Sequence, residues 1–331
     1  AVSASPMGIC RSMPNFLATF AIDSRCARMR WGNSMYIHDP LMAWPEDITK
    51  YEGKYDEGYE VIRQRRYEKQ LQMGLIDPSY RLYDPTYSSW NELSDSVRTD
   101  EKRKMEVYAA MIDRMDQNIG RVLNKLQETG DLDNTLVMFV SDNGASAEMV
   151  RISDDYGEIG TMTRWASLGE SWANVGNTPF RYYKNFSYEG GINTPFIAYW
   201  PGKIPPSSFS EFPGHFIDIM STLVDITGAQ YPEVFNDQEI TPMQGQSLLP
   251  VFKGGKMERK KPLFWEWSDG KAVYSDSWKI VKEGKKSPWD LYHLADDPTE
   301  TQNLANEHPQ KVEQLDQLFR QWKSNLPTFE N

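Results

Sequence analysis

Cysteine is nearly missing from this chain of 331 residues: Cys10 and Cys26 are the only two, which excludes a disulfide framework and leaves room for at most one bridge. Histidine is almost as sparse, with four in all. Positive charge is in deficit, since 36 Lys and Arg face 47 Asp and Glu and leave a formal charge of -11. That balance repels phosphate backbones and anionic lipid surfaces, so no nucleic acid partner is expected. Long apolar runs are missing too: nothing approaches the roughly 20 residues that cross a bilayer, and no membrane span is expected. The short run from Phe16 to Ile22 lacks the basic flank and cleavage site of a signal peptide. Because the chain starts at Ala1 rather than Met, it reads as a processed product or as an N-terminally incomplete piece. No HExxH, paired CxxC, GxSxG or Walker-type glycine loop occurs, which removes the zinc protease, zinc finger, serine hydrolase and P-loop readings.

What is present is enough for a core: 39% hydrophobic and 13% aromatic residues in a chain long enough for one large domain and a smaller one. Residues 1–35 show neither helical nor strand periodicity, form an unassigned segment, and are expected to pack poorly. Pro45 and Glu46 can open a helix, and Gly58 separates it from a second one ending near Gly74. Between Glu101 and Thr129, Met105, Tyr108, Ile112, Met115, Ile119, Val122 and Leu126 recur at spacings of three and four, which predicts a long amphipathic helix stopped by Gly130. The run NTLVMFVS, Asn134 to Ser141, follows as a buried strand of the kind found in parallel sheets. Helix, buried strand and polar loop form an α/β grammar in which ligands bind beyond the carboxyl ends of strands. Asn193 to Trp200 predicts a second strand, and Phe216 to Thr227 a packed helix closed by Gly228. After about residue 230, short strands at Leu263–Trp267, Lys271–Tyr274 and Trp278–Lys282 precede a helix bearing Val312, Leu315, Phe319 and Trp322. That portion reads as a small antiparallel α+β domain.

Three places offer chemistry. Asp142 and Asn143, in Ser141-Asp142-Asn143-Gly144, set two hard oxygen donors at a strand end, a donor type suited to calcium or magnesium; the same residues also make an ordinary Asx-Gly turn. Lys184 lies beside Glu189-Gly190-Gly191, where glycines let backbone approach a ligand, and a compact ammonium suits a tetrahedral oxyanion; alone it also reads as a solvated surface lysine. His38 has the side chain of a proton donor but is a lone loop histidine. His215, His293 and His308 each have a structural place at a helix start or in a strand. On so acidic a chain, an anionic ligand needs a metal or a local cluster of cations.

The order of these segments carries more than any one of them. AAMIDRMDQNIGRVLNKLQETGDLDNTLVMFVSDNGASAE strongly resembles the helix, strand and loop of the sulfatase family, arylsulfatase type. NTPFRYYKNFSYEGGINTPFIAYW is similar to the family's lysine loop, and HFIDIMSTLVDITG to the helix that closes its large domain. DSWKIV and PWDLYHLADDPTETQNL resemble its C-terminal domain, and IHDPLMAWPEDITKYEGKYDEGYEVIRQRRYEKQ the segment after its central histidine. The resemblance implies an α/β fold: an alkaline-phosphatase-like large domain around a mixed sheet, here partial, with a smaller C-terminal α+β domain. It divides the chain into residues 36–229, the downstream part of the catalytic domain, and 230–331, the antiparallel sheet and helix.

By that resemblance the substrate is a sulfate ester, Asp142 and Asn143 are calcium ligands, Asp142 also reaches the formylglycine hydroxyl, Lys184 contacts a sulfate oxygen, and His38 lies near the leaving oxygen. Around His38 the match departs, with Ile37 and Asp39 where the family has Pro and an aromatic residue. The family's formylglycine arises from a Cys/Ser-x-Pro/Ala-x-Arg motif through a formylglycine-generating enzyme. No such motif occurs here; Cys26-Ala27-Arg28-Met29-Arg30 matches in its Cys and Arg but has Arg28 in place of Pro, and reads as coincidence. The expectation is a sulfatase-family hydrolase, incomplete and inactive as given, with weak calcium affinity. The alternative is a non-catalytic relative that binds sulfated glycans or a partner protein. A two-metal phosphatase or phosphonate hydrolase is disfavoured by the few histidines. Export is the family habit.

Overall fold

The computed structural model describes the backbone of residues 18–23 and 28–33 and the whole of residues 39–150 and 156–326. Strands β1 (Ala18–Asp23) and β2 (Arg28–Asn33) form an antiparallel hairpin, and β1 pairs in turn with β3 (Thr135–Val140). The segment left unassigned for want of periodicity thus contributes two strands. The physical reason is that β1 takes its register from β3, a strand more than a hundred residues away, and such pairing leaves little trace in local periodicity.

A short helix α1 (Pro45–Ile48) and helix α2 (Gly58–Gln72) lead to α3 (Asp95–Glu128), 34 residues long and capped by the Ser94 side chain, which accepts from the Val97 N–H. Its buried face carries Val107, Tyr108 and Ala110 into a cluster with Leu41, Tyr59, Trp90 and Trp172. Val122, expected on that face, is exposed, and Leu123 is buried in its place. Beyond β3 come the short α4 (Glu170–Gly176), which supplies Trp172, then α5 (Glu189–Ile192) and β4 (Phe196–Tyr199). The sheet order is β2-β1-β3-β4.

Strand β3 is buried on both faces, as its sequence requires, yet both its ladders are antiparallel. Leu136 and Met138 pack against helices α6 (Phe216–Thr227) and α7 (Leu249–Phe252), while Thr135 and Val137 are buried on the other side. A continuous apolar run reports coverage by neighbours, which helices supply to an antiparallel strand as readily as to a parallel one. Helix α6 starts at His215 in a capping box with Asp218 and ends at Gly228 in the left-handed conformation.

A two-stranded ribbon, β5 (Val234–Phe235) and β6 (Gln238–Glu239), precedes the C-terminal sheet of β7 (Leu263–Trp267), β8 (Gly270–Ser275), β9 (Trp278–Lys282) and β10 (Asp290–His293). Its order is β10-β9-β8-β7, antiparallel throughout. Helix α8 (Pro309–Ser324) covers one face through Leu315 and Phe319 on Val273, Ile280 and Leu291. The opposite face, with Ala272, Val281 and Tyr292, meets Tyr188, Tyr182 and Phe186 of the loop before α5. No helix among the described residues is long and apolar enough to cross a membrane.

Candidate functional site

The loop that leaves β3 is held by hydrogen bonds on each side. Ser141 Oγ donates to the Asn143 carbonyl at 2.8 Å, and Thr194 Oγ1 donates to the Ser141 carbonyl at 2.7 Å. The Gly144 N–H donates to the Gly191 carbonyl at 2.9 Å, and the Ala145 N–H to Asn177 Oδ1 at 2.9 Å. Asn177 Nδ2 in turn donates to the carbonyls of Tyr182 and Gly190, at 2.9 and 2.8 Å. The two loops therefore lie backbone against backbone, and glycine makes that approach possible. A Cβ on Gly144 would fall 1.8 Å from the Gly190 oxygen, and one on Gly191 would fall 1.9 Å from the Phe186 oxygen.

Asp142 is exposed and Asn143 half-buried at the carboxyl end of β3, with Asn143 Nδ2 donating to Asp142 Oδ1. The Lys184 N–H donates to the Ala145 carbonyl at 3.0 Å, which sets the lysine two residues along from Asn143. Its neighbours Tyr182 and Asn185 have φ of 63° and 80°, the left-handed region that a tyrosine rarely adopts, and such backbone persists where the surroundings over-determine it. Lys184 Nζ lies 3.1 Å from Glu148 Oε2. The lysine's hydrogen bond, with further help from Asn185 and Ser146, holds the Glu148 carboxyl below its usual range. The structure thus brings Asp142, Asn143 and Lys184 onto one pair of joined loops. His38 and Cys26 lie outside the described residues.

Asp142 and Asn143 offer the carboxylate and carboxamide oxygens that a hard cation takes. Calcium uses about six to eight oxygens, and among the described residues no group of three or more His, Cys, Asp or Glu is placed to hold a metal. The pair fits one edge of such a shell. Two further residues belong to the site and escape sequence reasoning: Glu148, in a polar stretch without a motif, and Asn177, whose role of tying three backbone groups leaves no local pattern.

Behind the lysine loop, charges are buried. Lys279 on β9, fully buried, places Nζ 2.6 Å from Glu189 Oε1 and 2.8 Å from Glu300 Oε1. Glu300 Oε2 accepts the Glu189 N–H at 2.7 Å, and Glu189 Oε2 accepts from Asn193 Nδ2 at 2.8 Å. Burial pushes the Glu300 carboxyl up to about 7; the pull of Lys279 opposes this and the Glu189 charge adds to it. Burial pushes the Lys279 ammonium down, but its two carboxylates more than reverse that and leave it raised. Nearby, Glu283 accepts the Ser187 N–H at 2.6 Å and Asp290 accepts from the Tyr188 hydroxyl at 2.5 Å. The C-terminal sheet thus fixes the α5 turn, whose Gly190 and Gly191 in turn fix the loop after β3.

The family profile described as Sulfatase matches residues 36–229, more than half of the chain. The chain belongs to the sulfatase family. A second profile, N-sulphoglucosamine sulphohydrolase, C-terminal, matches residues 179–326, which include the lysine loop, the C-terminal sheet and α8. An uncharacterized sulfatase of Schizosaccharomyces pombe is 33% identical over 308 residues, covering 86% of this chain and 55% of that protein. The arylsulfatase of Klebsiella aerogenes is 30% identical over 244 residues, covering 68% of this chain and 52% of that enzyme. The chain thus spans about half the length of these relatives. The crystal structure of Ps i-CgsB superposes with a TM-score of 0.56 at 19% identity, over 86% of this chain and 47% of that one. The likeness is one of fold, the alkaline-phosphatase-like α/β fold of sulfatases, with the antiparallel C-terminal sheet beside it.

Proposed function

We propose that this sulfatase-family chain carries the charge-stabilising part of a sulfate ester hydrolase, residues 36–229 forming the downstream part of its catalytic domain and 230–331 its C-terminal domain. One observation supports the reading most: the backbone of Lys184 is bonded to the loop that bears Asp142 and Asn143, so a cation and two hard oxygen ligands share one rigid support. An anionic sulfate needs its oxygens neutralised while the ester bond breaks, and the departing alcohol needs a proton. Lys184 meets the first need by binding a sulfate oxygen, leaving the Glu148 carboxylate to do so. His38 meets the second as proton donor. Asp142 and Asn143 would hold calcium, which supplies further positive charge to the sulfate oxygens when bound.

The sequence holds no Cys/Ser-x-Pro/Ala-x-Arg motif, so no residue of this chain matches the family's formylglycine nucleophile. Accordingly the 331-residue chain is expected to bind sulfate and to show no appreciable turnover. The test is hydrolysis of 4-nitrophenyl sulfate with and without calcium, the chain being coexpressed with a formylglycine-generating enzyme, together with calorimetric titration of inorganic sulfate. Sulfate binding that is lost in Lys184→Ala supports the reading. Calcium-dependent turnover would show that a nucleophile has been overlooked, with Cys26 the first to substitute. Unchanged sulfate binding in Lys184→Ala would remove the assignment of the anion site. Export from the cell is proposed on family grounds.

A further inference from the structure

The C-terminal sheet turns its second face away from the lysine loop. Side chains alternate along a strand: Ala272 and Val281 pack toward Tyr188, and Val273 and Ile280 toward α8. Lys271 and Lys282 therefore lie on the α8 side, and they are direct cross-strand partners. Like charges set opposite one another weaken a ladder, and nothing in the packing requires two here.

Helix α8 brings Arg320 and Lys323 to the same side, 67% and 53% exposed. Between helix and sheet opens a cleft of about 480 Å³ with Trp289 and Phe319 in its wall. Lys282 Nζ stands 4.7 Å from the Trp289 ring centroid, and Lys271 Nζ 5.3 Å from that of Phe319. Two carboxylates answer these four cations: Asp316 pairs with Arg320, and Glu266 is shared by Lys271 and Lys323. Lys282 has no carboxylate partner among the described residues. The cleft is thus net positive on a chain whose formal charge is -11. Burial alone would raise the Glu266 carboxyl, yet the two lysines hold it below its usual range, as a positive surrounding requires.

We propose that this cleft is an exosite for a sulfated carbohydrate, with sulfate groups on Lys271, Lys282, Arg320 and Lys323 and a sugar ring against the half-buried Trp289 ring. The cleft falls within the roughly 300–1,000 Å³ of small-molecule sites. Charge-assisted hydrogen bonds from ammonium and guanidinium suit sulfate oxygens, and the Trp289 indole offers apolar area to the ring. A nucleic acid fits less well, because the chain's formal charge of -11 repels a long phosphate backbone. The choice of sulfate over another anion rests on the sulfate ester reading above. The exosite would retain a polymeric substrate by a second contact, remote from Lys184, and raise the effective concentration of its esters.

The test is calorimetric titration of the full chain with a sulfated dextran oligosaccharide, the same oligosaccharide unsulfated, and a polyphosphate of matched charge. The sulfated sugar is expected to bind at least tenfold tighter than either. The double substitution Lys271→Ala/Lys282→Ala should weaken it at least tenfold while the thermal midpoint stays or rises, because a repulsive pair has been removed. In a Lys184→Ala background, which removes the proposed anion site, the same double substitution should still cause a further loss of at least tenfold. Should the strand variant fail to fold, Arg320→Gln/Lys323→Gln on the helix surface must give the same loss. Unchanged affinity in folded cleft variants overturns the exosite, as does polyphosphate binding of equal strength or a loss confined to Lys184→Ala. Hydrolysis of 4-nitrophenyl sulfate, measured in parallel, reads the catalytic proposal separately, since a failure there leaves the dextran comparison intact.

Discussion

The segment from Asn177 to Asn193 has two sides that obey different physics. Toward solvent it carries Lys184, whose one ion pair among the described residues is with the exposed Glu148, beside an exposed Asp142. Toward the C-terminal sheet it carries Glu189, locked to the fully buried Lys279 and through it to Glu300, while Ser187 and Tyr188 are bonded to Glu283 and Asp290. Charges on the wet side are replaceable, because water or a ligand can take over either partner at little cost. Charges on the dry side are not, because each one left alone would be an ion in a medium of low dielectric. The difference separates backbone support from the proposed anion site within seventeen residues: the buried ion pairs hold the backbone, and Lys184 is left in one partly exposed pair.

The contrast can be broken from the dry side first. Lys279→Met leaves Glu189 and Glu300 facing each other without a counter-charge, and a loss of about 3–5 kcal/mol is expected in urea unfolding. A loss below about 1 kcal/mol would mean that the carboxylates escape to water and that the triad is no support. Gly144→Ala comes next. Its Cβ meets the Gly190 backbone oxygen, which no side-chain rotation relieves, so about 3 kcal/mol or less is expected, with the loops pushed apart. Hydrogen exchange of the amides of Gly144 and Lys184 reads this directly, and unchanged protection at both would show that the loops are not welded.

The triad also predicts a pH dependence. Glu300 has a carboxyl raised from 4.5 to about 7, chiefly by burial. A group raised on folding contributes stability that is fully present below its unfolded value and is lost as pH rises through its folded one. The support is therefore firmest in mild acid and weakens between pH 4.5 and 7, by on the order of 3 kcal/mol. Groups facing this site from neighbouring elements include Glu189, Lys279, Glu283 and Tyr292. The check is the difference between the unaltered chain and Glu300→Gln, compared by urea midpoints from pH 5 to 8. The glutamine variant should give the flatter curve; parallel curves would assign the titration elsewhere.

The same division explains what was legible in the sequence. Helices α3, α6 and α8 and strands β3 and β4 are visible because apolar spacing, a closing Gly130 or Gly228, and bounded β-rich runs are local signals. The hairpin β1–β2 and the antiparallel sense of β3 were not, because strand pairing is decided by distant partners. Asp142, Asn143 and Lys184 stood out as residue types beside glycines, and Gly144 and Gly191 meeting face to face gives those glycines their reason. Lys279 gave no signal. It sits in a strand where a lysine normally marks the solvent side, and only the two carboxylates of Glu189 and Glu300, 90 and 21 positions away in sequence, allow it inside. Asn177 and Glu148 were equally silent, since each acts on backbone or side chains that only the fold brings near.

The wet side should give the smallest effect on stability and the largest on ligand. Lys184→Ala and Glu148→Gln each dissolve one partly exposed ion pair, worth about 1 kcal/mol at most, so urea midpoints should barely move. Their effects on anions should nevertheless be opposite. Glu148 competes with any anion for the same ammonium, and its carboxylate is ionised at neutral pH because the lysine's hydrogen bond holds its titration low. Removing that charge frees Lys184, so Glu148→Gln should bind inorganic sulfate several-fold tighter at low ionic strength. The gain should shrink toward physiological salt, where the Debye length falls to about 8 Å. Lys184→Ala should bind sulfate weakly at every salt concentration. The two titrations, run on one preparation at two ionic strengths, decide between a lysine held in reserve for an anion and one merely paired on the surface. In the second case Glu148→Gln gains nothing, and Lys184 would join the ordinary solvated lysines that its sequence context also allowed.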